Sequence, residues 1–306
     1  MDAEAALPGS ALHPEAPYRR ALVVANPIAG RGQGAKAARE VVEGLRRLGV
    51  PSETCFTRER GDARARVRCL EPGIDLVVSV GGDGTLGEVF DGLMDPTVAV
   101  GLLPLGTANV LSRDLGLPRD VDRALEVFAA GRTTTIDLGL ANGHVSFLVT
   151  GVGFDGLTVR ELERLRRGPI SKADYLRAAW RALRTYRPPQ LTVELDGERQ
   201  RGTFGLVLIA NSVHYGGFLK LAPERRLDDG LFEVYLFARA RPRDLAAAAL
   251  RGIVKHLPGG GVRMQRARRV RVEAPEPVAV QVDGDARGET PLDFEVSARQ
   301  VRVLVP

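Results

Sequence analysis

The sequence predicts an α/β fold in two parts: a doubly wound domain built on a parallel sheet, followed by a β-rich antiparallel sandwich. Three observations predict it. From Arg20 to about residue 137, short β-branched runs alternate with helical patterns. Past Asp137 the chain becomes a series of strands with tight turns between them. The glycine clusters of the first part each follow a strand. Alternation with wholly apolar strands marks a parallel sheet covered on both faces, and ligands of such sheets lie at the carboxyl ends of the strands. The 306 residues suit about two ordinary domains.

Residues 1–17 carry Asp2, Glu4, Glu15 and three prolines, and read as a disordered tail. Residues 21–25 form a buried strand that ends at Asn26-Pro27 and a glycine-rich turn. A helix over 35–48 follows, with Ala38, Val41, Val42, Leu45 and Leu48 at helical spacing. A strand at 53–57 and a charged helix at 62–70 come next. The apolar run 75–80 is broken by Gly81 to Gly84, and a helix is expected over 85–94. A strand over 98–103 leads to a helix over 109–115. The boundary is placed at Asp137, giving domains at 18–137 and 138–306. Beyond it, strands are expected at 144–149, 191–195, 204–209, 231–237, 270–272, 278–282 and 301–305, the last of them able to return to the first domain. Asp196-Gly197 and Asp283-Gly284 are hairpin signals. Helices interrupt at 171–185, with Ser171 and Asp174 as its cap, and at 242–256.

Composition narrows the function. Hydrophobic residues are 44% and charged residues 26%, so the chain is neither disordered nor fibrous. The 43 Lys+Arg exceed the 38 Asp+Glu only slightly. That excess suits anionic phosphates or a negative membrane surface without requiring nucleic acid, and no aromatics interleave with the basic residues. Cys55 and Cys69 are too few for a disulfide scaffold and read as buried, reduced thiols. No apolar run reaches 18 residues and no basic-then-apolar leader opens the chain, so a cytoplasmic protein is expected.

The strongest chemical signal is Val78-Ser79-Val80-Gly81-Gly82-Asp83-Gly84-Thr85. A strand running into glycines and then a helix presents backbone N–H groups and positive helix potential to a phosphate. An Asp in that loop has the wrong charge for phosphate alone and makes sense if Mg²⁺ bridges it to a nucleotide. It is neither a Walker A loop nor a G-x-G-x-x-G fingerprint. Two more glycine turns, Asn26 to Gly32 and Pro104 to Asn109, fall at the same edge.

These residues resemble a known family. Asn-Pro-x-x-Gly, Gly-Gly-Asp-Gly-Thr and Gly-Thr-x-Asn with Leu115-Gly116, in that order, are similar to the catalytic domain of diacylglycerol kinases, which sphingosine, ceramide and bacterial lipid kinases share. The likeness continues through Asp137-Leu138-Gly139, Gly151 to Asp155, Ala210-Asn211, Gly216-Gly217, Ala222-Pro223, Leu227 to Leu231 and Val282 to Asp285, covering residues 20–306. It implies a nucleotide-binding domain related to phosphofructokinase and NAD kinase, and ATP- and Mg²⁺-dependent phosphorylation of a lipid hydroxyl. ATP would meet Asn26, Pro27, Gly30, Thr57, Gly81, Gly82, Asp83, Gly84, Thr85, Thr107 and Asn109, with Asp83 acting through Mg²⁺. A second, structural Mg²⁺ would be held by the Asp229 carboxylate and the carbonyls of Arg226 and Leu231. The general base of the Asp-Gly-acid turn would be Asp285, with Glu289 as its rival. Four positions depart from the family's pattern: Asp285 where a Glu is usual, Ala29, Gly87, and Val110 where an Asp is usual.

The resemblance leaves the lipid open among diacylglycerol, phosphatidylglycerol, a sphingoid base and another long-chain alcohol. The partners expected are ATP and a lipid at the inner membrane surface; no nucleic acid is expected, and a homodimer is allowed. Two basic features bear on the membrane. In helix 171–185, Leu176, Trp180 and Leu183 form one stripe beside Arg177, Arg181 and Arg184; it faces either a bilayer or the core. The cluster Arg263, Arg266, Arg268, Arg269 and Arg271 meets headgroups or solvent. Two other functions stand open: an NAD kinase-like enzyme, and an inactive lipid- or nucleotide-binding regulator.

Overall fold

A computed structural model describes residues 17–165, 172–215, 219–221, 226–254 and 257–306 of the chain. Residues 1–16 of the tail expected at 1–17, Ser171, Gly216-Gly217 and Ala222-Pro223 lie outside them. The first half runs β1 (Ala21–Ala25), the short turn α1 (Ala29–Gly32), α2 (Gly34–Arg47), β2 (Ser52–Phe56), α3 (Asp62–Arg68), β3 (Leu76–Gly81), α4 (Asp83–Gly92), β4 (Ala99–Pro104), α5 (Val110–Asp114), α6 (Val121–Ala130) and β5 (Thr133–Ala141). Strands β2, β1, β3 and β4 lie side by side and parallel. Helix α2 turns Ala37, Ala38, Val41 and Leu45 onto one face of this sheet, where they meet Leu76, Val78 and Phe128. Leu86, Val89 and Phe90 of α4 cover the other face with Val77 and Val100. These apolar positions recur at helical spacing, so periodicity and packing agree.

The second half continues as β6 (His144–Ser146), β7 (Val149–Val152), α7 (Phe154–Leu165), α8 (Lys172–Thr185), β8 (Thr192–Leu195), β9 (Glu198–Arg199), β10 (Leu206–Ala210), β11 (His214–Tyr215) and β12 (Leu219–Lys220). It ends with β13 (Phe232–Phe237), α9 (Pro242–Val254), β14 (Val262–Ala267), β15 (Arg269–Glu273), β16 (Ala279–Val282), β17 (Asp285–Glu289) and β18 (Leu292–Leu304). A six-stranded sheet takes the order β14-β13-β10-β7-β16-β17, antiparallel throughout. The sandwich partner is not a separate sheet. Strands β15, β8 and β9 extend the parallel sheet of the first half, joined to it through β18. Strand β18 pairs antiparallel with β15 through Leu292–Glu295 and parallel with β4 at Arg302 and Val303. Between the layers Phe232 and Phe294 meet edge to face at 4.9 Å.

Several expected boundaries shift for identifiable reasons. The strand expected at 144–149 splits in two because the N–H groups of Phe147, Leu148 and Val149 turn to the Asp283 carboxylate, at 2.9 Å each. The last strand starts nine residues earlier than expected, a polar stretch that finds ladder partners in β5 and β15. Trp180 does not share a stripe with Leu183. Ala178 and Ala182 face the core, Leu183 packs against it, and Trp180 is 59% exposed beside Arg177, Arg181 and Arg184. The Arg184 guanidinium lies 4.7 Å from the indole centroid. Cys69 is exposed and Cys55 half-buried, so neither is the buried thiol expected. In the arginine cluster, Arg266 pairs with Glu233 and Asp229, and Arg271 with Glu273 and Asp293.

One ring ties the halves together. Phe147 is fully buried, meets Phe90 of α4 edge to face at 5.0 Å, and closes tightly on Gly87, whose Cβ would lie 3.2 Å from it. Phe147→Ala should therefore cost about 3–5 kcal/mol, read from the urea midpoint. A loss below about 1 kcal/mol would show that the halves do not depend on this wedge.

Candidate active site

The three glycine turns meet at the carboxyl edge of β1, β3 and β4. Leu105 N–H donates to the Gly81 carbonyl at 2.7 Å and Asn26 N–H to Val80 at 3.1 Å. Gly82 and Gly106 touch through bare backbone, since a Cβ on Gly106 would fall 2.6 Å from the Gly82 Cα. A surface of main chain remains, at the head of the ten-residue helix α4, which favours an anion. Asn26, Pro27 and Gly30 lie in the first turn, Gly30 against Leu105. Thr57 follows β2 alongside, bonded through its N–H to the Ala25 carbonyl at 2.9 Å. The residues expected to contact nucleotide thus share one edge.

Two oxygen acceptors stand in these turns. Asp83 receives the Val110 N–H at 3.0 Å and 3.2 Å. Burial pushes its carboxyl up to about 6, backbone N–H groups of Val110 and Asn109 pull it down, and the Asp114 carboxylate adds to the rise. Asn109, held at φ 47°, donates its amide to Gly106 at 2.8 Å, which leaves its buried Oδ1 without a partner. An enclosed carboxylate with an unpartnered oxygen beside it is a donor set that fits Mg²⁺, which takes oxygens and keeps several waters.

Val110 brings no acid here; its side chain joins the core. One helical turn on, and missed by the sequence reading, Asp114 has a side chain 1% exposed. It takes the Ser212 hydroxyl at 2.6 Å and the Val213 N–H at 2.8 Å, and lies 2.6 Å from His214 Nδ1. Its i+4 spacing from Val110 was the available signal.

The second half presents the turn Asp283-Gly284-Asp285. Asp283, at φ 50°, accepts the three N–H groups of 147–149, with the Ser146 hydroxyl at 3.4 Å. Burial still pushes it up to about 7, and the nearby charge of Asp83 contributes. Phe147, whose N–H Asp283 takes, packs on Phe90 of the helix that Asp83 begins, so the two turns face each other. Asp285 bonds to Arg60 from the loop before α3 and to Arg287 at 3.3 Å. Glu289 pairs instead with Arg160 of α7 at 2.9 Å. Of the two acids, it is Asp285 that reaches a residue of the nucleotide half.

The loop at Asp229 is organised by Asp137, which takes the Gly230 N–H and the Gln300 amide at 2.6 Å each. Asp229 accepts the Leu231 N–H at 3.1 Å and faces Arg266 at 3.6 Å, while the Arg226 side chain pairs with Asp228. A divalent cation at this loop would share Asp229 with the Arg266 guanidinium. Among the described residues no group of three or more His, Cys, Asp or Glu is arranged for a metal.

The folded value of Asp83, about 6, exceeds the roughly 4 of an unfolded aspartate, so its ionised form weakens the fold as pH rises through that interval. Asp83→Asn keeps an acceptor for Val110 and removes the charge. Without metal or nucleotide, the variant should melt above the parent at about pH 8 and match it near pH 4. A lower melting temperature at the higher pH would mean that the charge is well compensated.

Comparison with known proteins agrees with this geometry. The diacylglycerol kinase catalytic domain matches residues 20–141, and the YegS C-terminal NAD kinase beta sandwich-like domain matches 148–305. The diacylglycerol kinase of Bacillus subtilis (strain 168) is 32% identical over 297 residues, covering 94% of this chain and 97% of that protein. That of Staphylococcus carnosus (strain TM300) is 27% identical, covering 94% and 95%. The crystal structure of a diacylglycerol kinase from Bacillus anthracis str. Sterne superposes with a TM-score of 0.73 at 21% identity, covering 94% of this chain and 97% of that one, and shows the shared fold. With both halves matched in order and nearly the whole of a relative spanned, the chain belongs to the diacylglycerol kinase catalytic-domain family of lipid kinases.

Proposed function

We propose that this chain transfers the γ-phosphoryl group of ATP to the hydroxyl of a membrane lipid such as diacylglycerol, with Asp285 as the general base. The observation that carries the reading is the approach of two acidic turns, one from each half: Phe147, whose N–H Asp283 holds, packs on Phe90 of the helix that Asp83 begins, and Asp285 bonds Arg60. The glycine turns and the head of α4 would cradle the phosphates, and Asp83 with Asn109 Oδ1 would hold hydrated Mg²⁺. When bound, that ion would neutralise phosphate charge and orient the terminal group. Asp285 would accept the proton of the attacking hydroxyl. Phosphoryl transfer asks mainly for such positioning and charge stabilisation. No helix among the described residues is long and apolar enough to cross a membrane. The exposed Trp180 with Arg177, Arg181 and Arg184, and the exposed Leu250, Ile253 and Val254 of α9, support docking at a bilayer surface.

Labelled ATP offered with Mg²⁺ to diacylglycerol, phosphatidylglycerol and a sphingoid base in mixed micelles, and to NAD in solution, tests the reading. Label is expected on diacylglycerol. Label on NAD, or on no acceptor, overturns it. Asp285→Ala should lower kcat about 10²–10⁴-fold, the usual contribution of a general base. Asp285→Glu should stay active and Glu289→Ala should change little. A dead Glu289→Ala beside a normal Asp285→Ala would exchange their roles. Asp83→Asn, though folded, should consume no ATP.

A further inference from the structure

Arg60 lies in the loop between β2 and α3, at the edge where the glycine turns meet. The loop is held from both sides. Gly61 and Ala63 donate their N–H groups to Glu88 of α4 at 2.8 Å and 3.2 Å, and Arg58 and Glu59 donate theirs to Asp62 at 2.7 Å and 3.1 Å. Glu88 belongs to the helix that Asp83 begins. From this anchored stem the Arg60 guanidinium crosses to the second half and bonds Asp285 Oδ2, the same oxygen that Arg287 approaches. Its neighbour Arg64 is turned to Asp91 of α4.

This arrangement poses a problem for the base. With Arg60 and Arg287 both on Oδ2, the lone pairs of that oxygen are taken up and a substrate hydroxyl has no clear approach to it. The Arg60–Asp285 pair is also half-exposed, at 56% and 35%, and such pairs contribute little and exchange readily. A terminal phosphate carries more charge than a carboxylate and matches the planar guanidinium fork. Any phosphate placed for transfer to a hydroxyl beside Asp285 lies within the reach of Arg60.

We propose that Arg60 positions the terminal phosphate of the nucleotide, and that it leaves Asp285 to do so, freeing the base only when that phosphate is in place. The inference rests on the kinase reading and on Asp285 as its base. In the step it serves, the lipid hydroxyl oxygen forms a bond to the γ-phosphorus and the bond to the β,γ-bridging oxygen breaks. The electron pair leaves on ADP, the hydroxyl proton passes to Asp285, and Arg60 stays on the transferred phosphoryl oxygens. Contact to the γ-phosphate alone makes Arg60 a device that tells ATP from ADP.

Binding without lipid tests this apart from turnover. The full chain is titrated calorimetrically with Mg²⁺ and either a non-hydrolysable ATP analogue with a β,γ-imido bridge or ADP. Arg60→Gln should weaken the analogue about tenfold, as expected for one charge-assisted pair, and leave ADP unchanged; Arg60→Lys should recover part of the loss. Asp285→Asn, by releasing Arg60, should tighten the analogue but not ADP, and that gain should vanish in the double variant. An unchanged preference in Arg60→Gln overturns the role even where lipid phosphorylation is found. A gain in Asp285→Asn that persists without Arg60 overturns the exchange. A lost preference together with no lipid phosphorylation by the parent overturns the lipid reading instead and leaves the phosphate contact of Arg60 standing.

Discussion

The enclosed carboxylate of Asp283 is the point from which the geometry of the cleft follows. A desolvated acid is costly unless donors surround it, and here three successive backbone N–H groups converge on it. Those bonds interrupt a strand, turn Phe147 against α4 and fix the β16–β17 hairpin over the edge where the glycine turns meet. Gln281 extends the attachment. Its side chain receives the Gly284 N–H at 2.8 Å and donates to Asp155 at 2.6 Å, so the turn is braced from below. Asp155 is itself raised to about 6 by burial and accepts the Tyr215 hydroxyl.

The acids of the cleft divide by what bonds them. Asp114, Asp137, Asp155 and Asp283 each take bonds from two or more groups and act as fasteners between segments distant in sequence. Asp83 is bonded by main chain alone, the N–H groups around Val110, beside an amide oxygen that has no partner among the described residues. A buried carboxylate that fastens no side chain, with a second oxygen next to it, is suited to a cation. Asp114 adds negative charge one turn beyond Val110, in the neighbourhood where the family's pattern has an acid, yet it is tied to Ser212, Val213 and His214. Its contribution at Asp83 is therefore a field rather than a ligand.

The sheet makes the two halves one body. Because β18 adds to β15 at one end and to β4 at the other, the last strand pins the sandwich to the parallel sheet. Gln300, at the irregularity in that strand, donates to Asp137, which in turn holds the loop at Asp229. The cleft thus has walls joined by backbone hydrogen bonds through β18.

Local pattern was enough for much of this molecule. Apolar periodicity placed β1 to β4 and their helices within two residues, because a strand or helix that must bury one face writes its period into the chain. The glycine turns were legible for a similar reason: only glycine lets two loops touch as Gly82 and Gly106 do. The Asp-Gly hairpins at 196 and 283 were legible from turn chemistry. What sequence did not reveal depends on residues far apart along it. Strand β5, threonine-rich at its start, is held as a strand by β18 along its length and by β6 at its end, and β18 carries charges along its length since one side lies toward solvent. The split between β6 and β7 needed a carboxylate 135 positions away. Asp285 and Glu289 could not be separated by their neighbours, and the tertiary structure distinguishes them by which guanidinium each meets, Arg60 or Arg160. Short-range sterics and burial set the elements; pairing of charges and of strand edges, blind to sequence distance, decided the site.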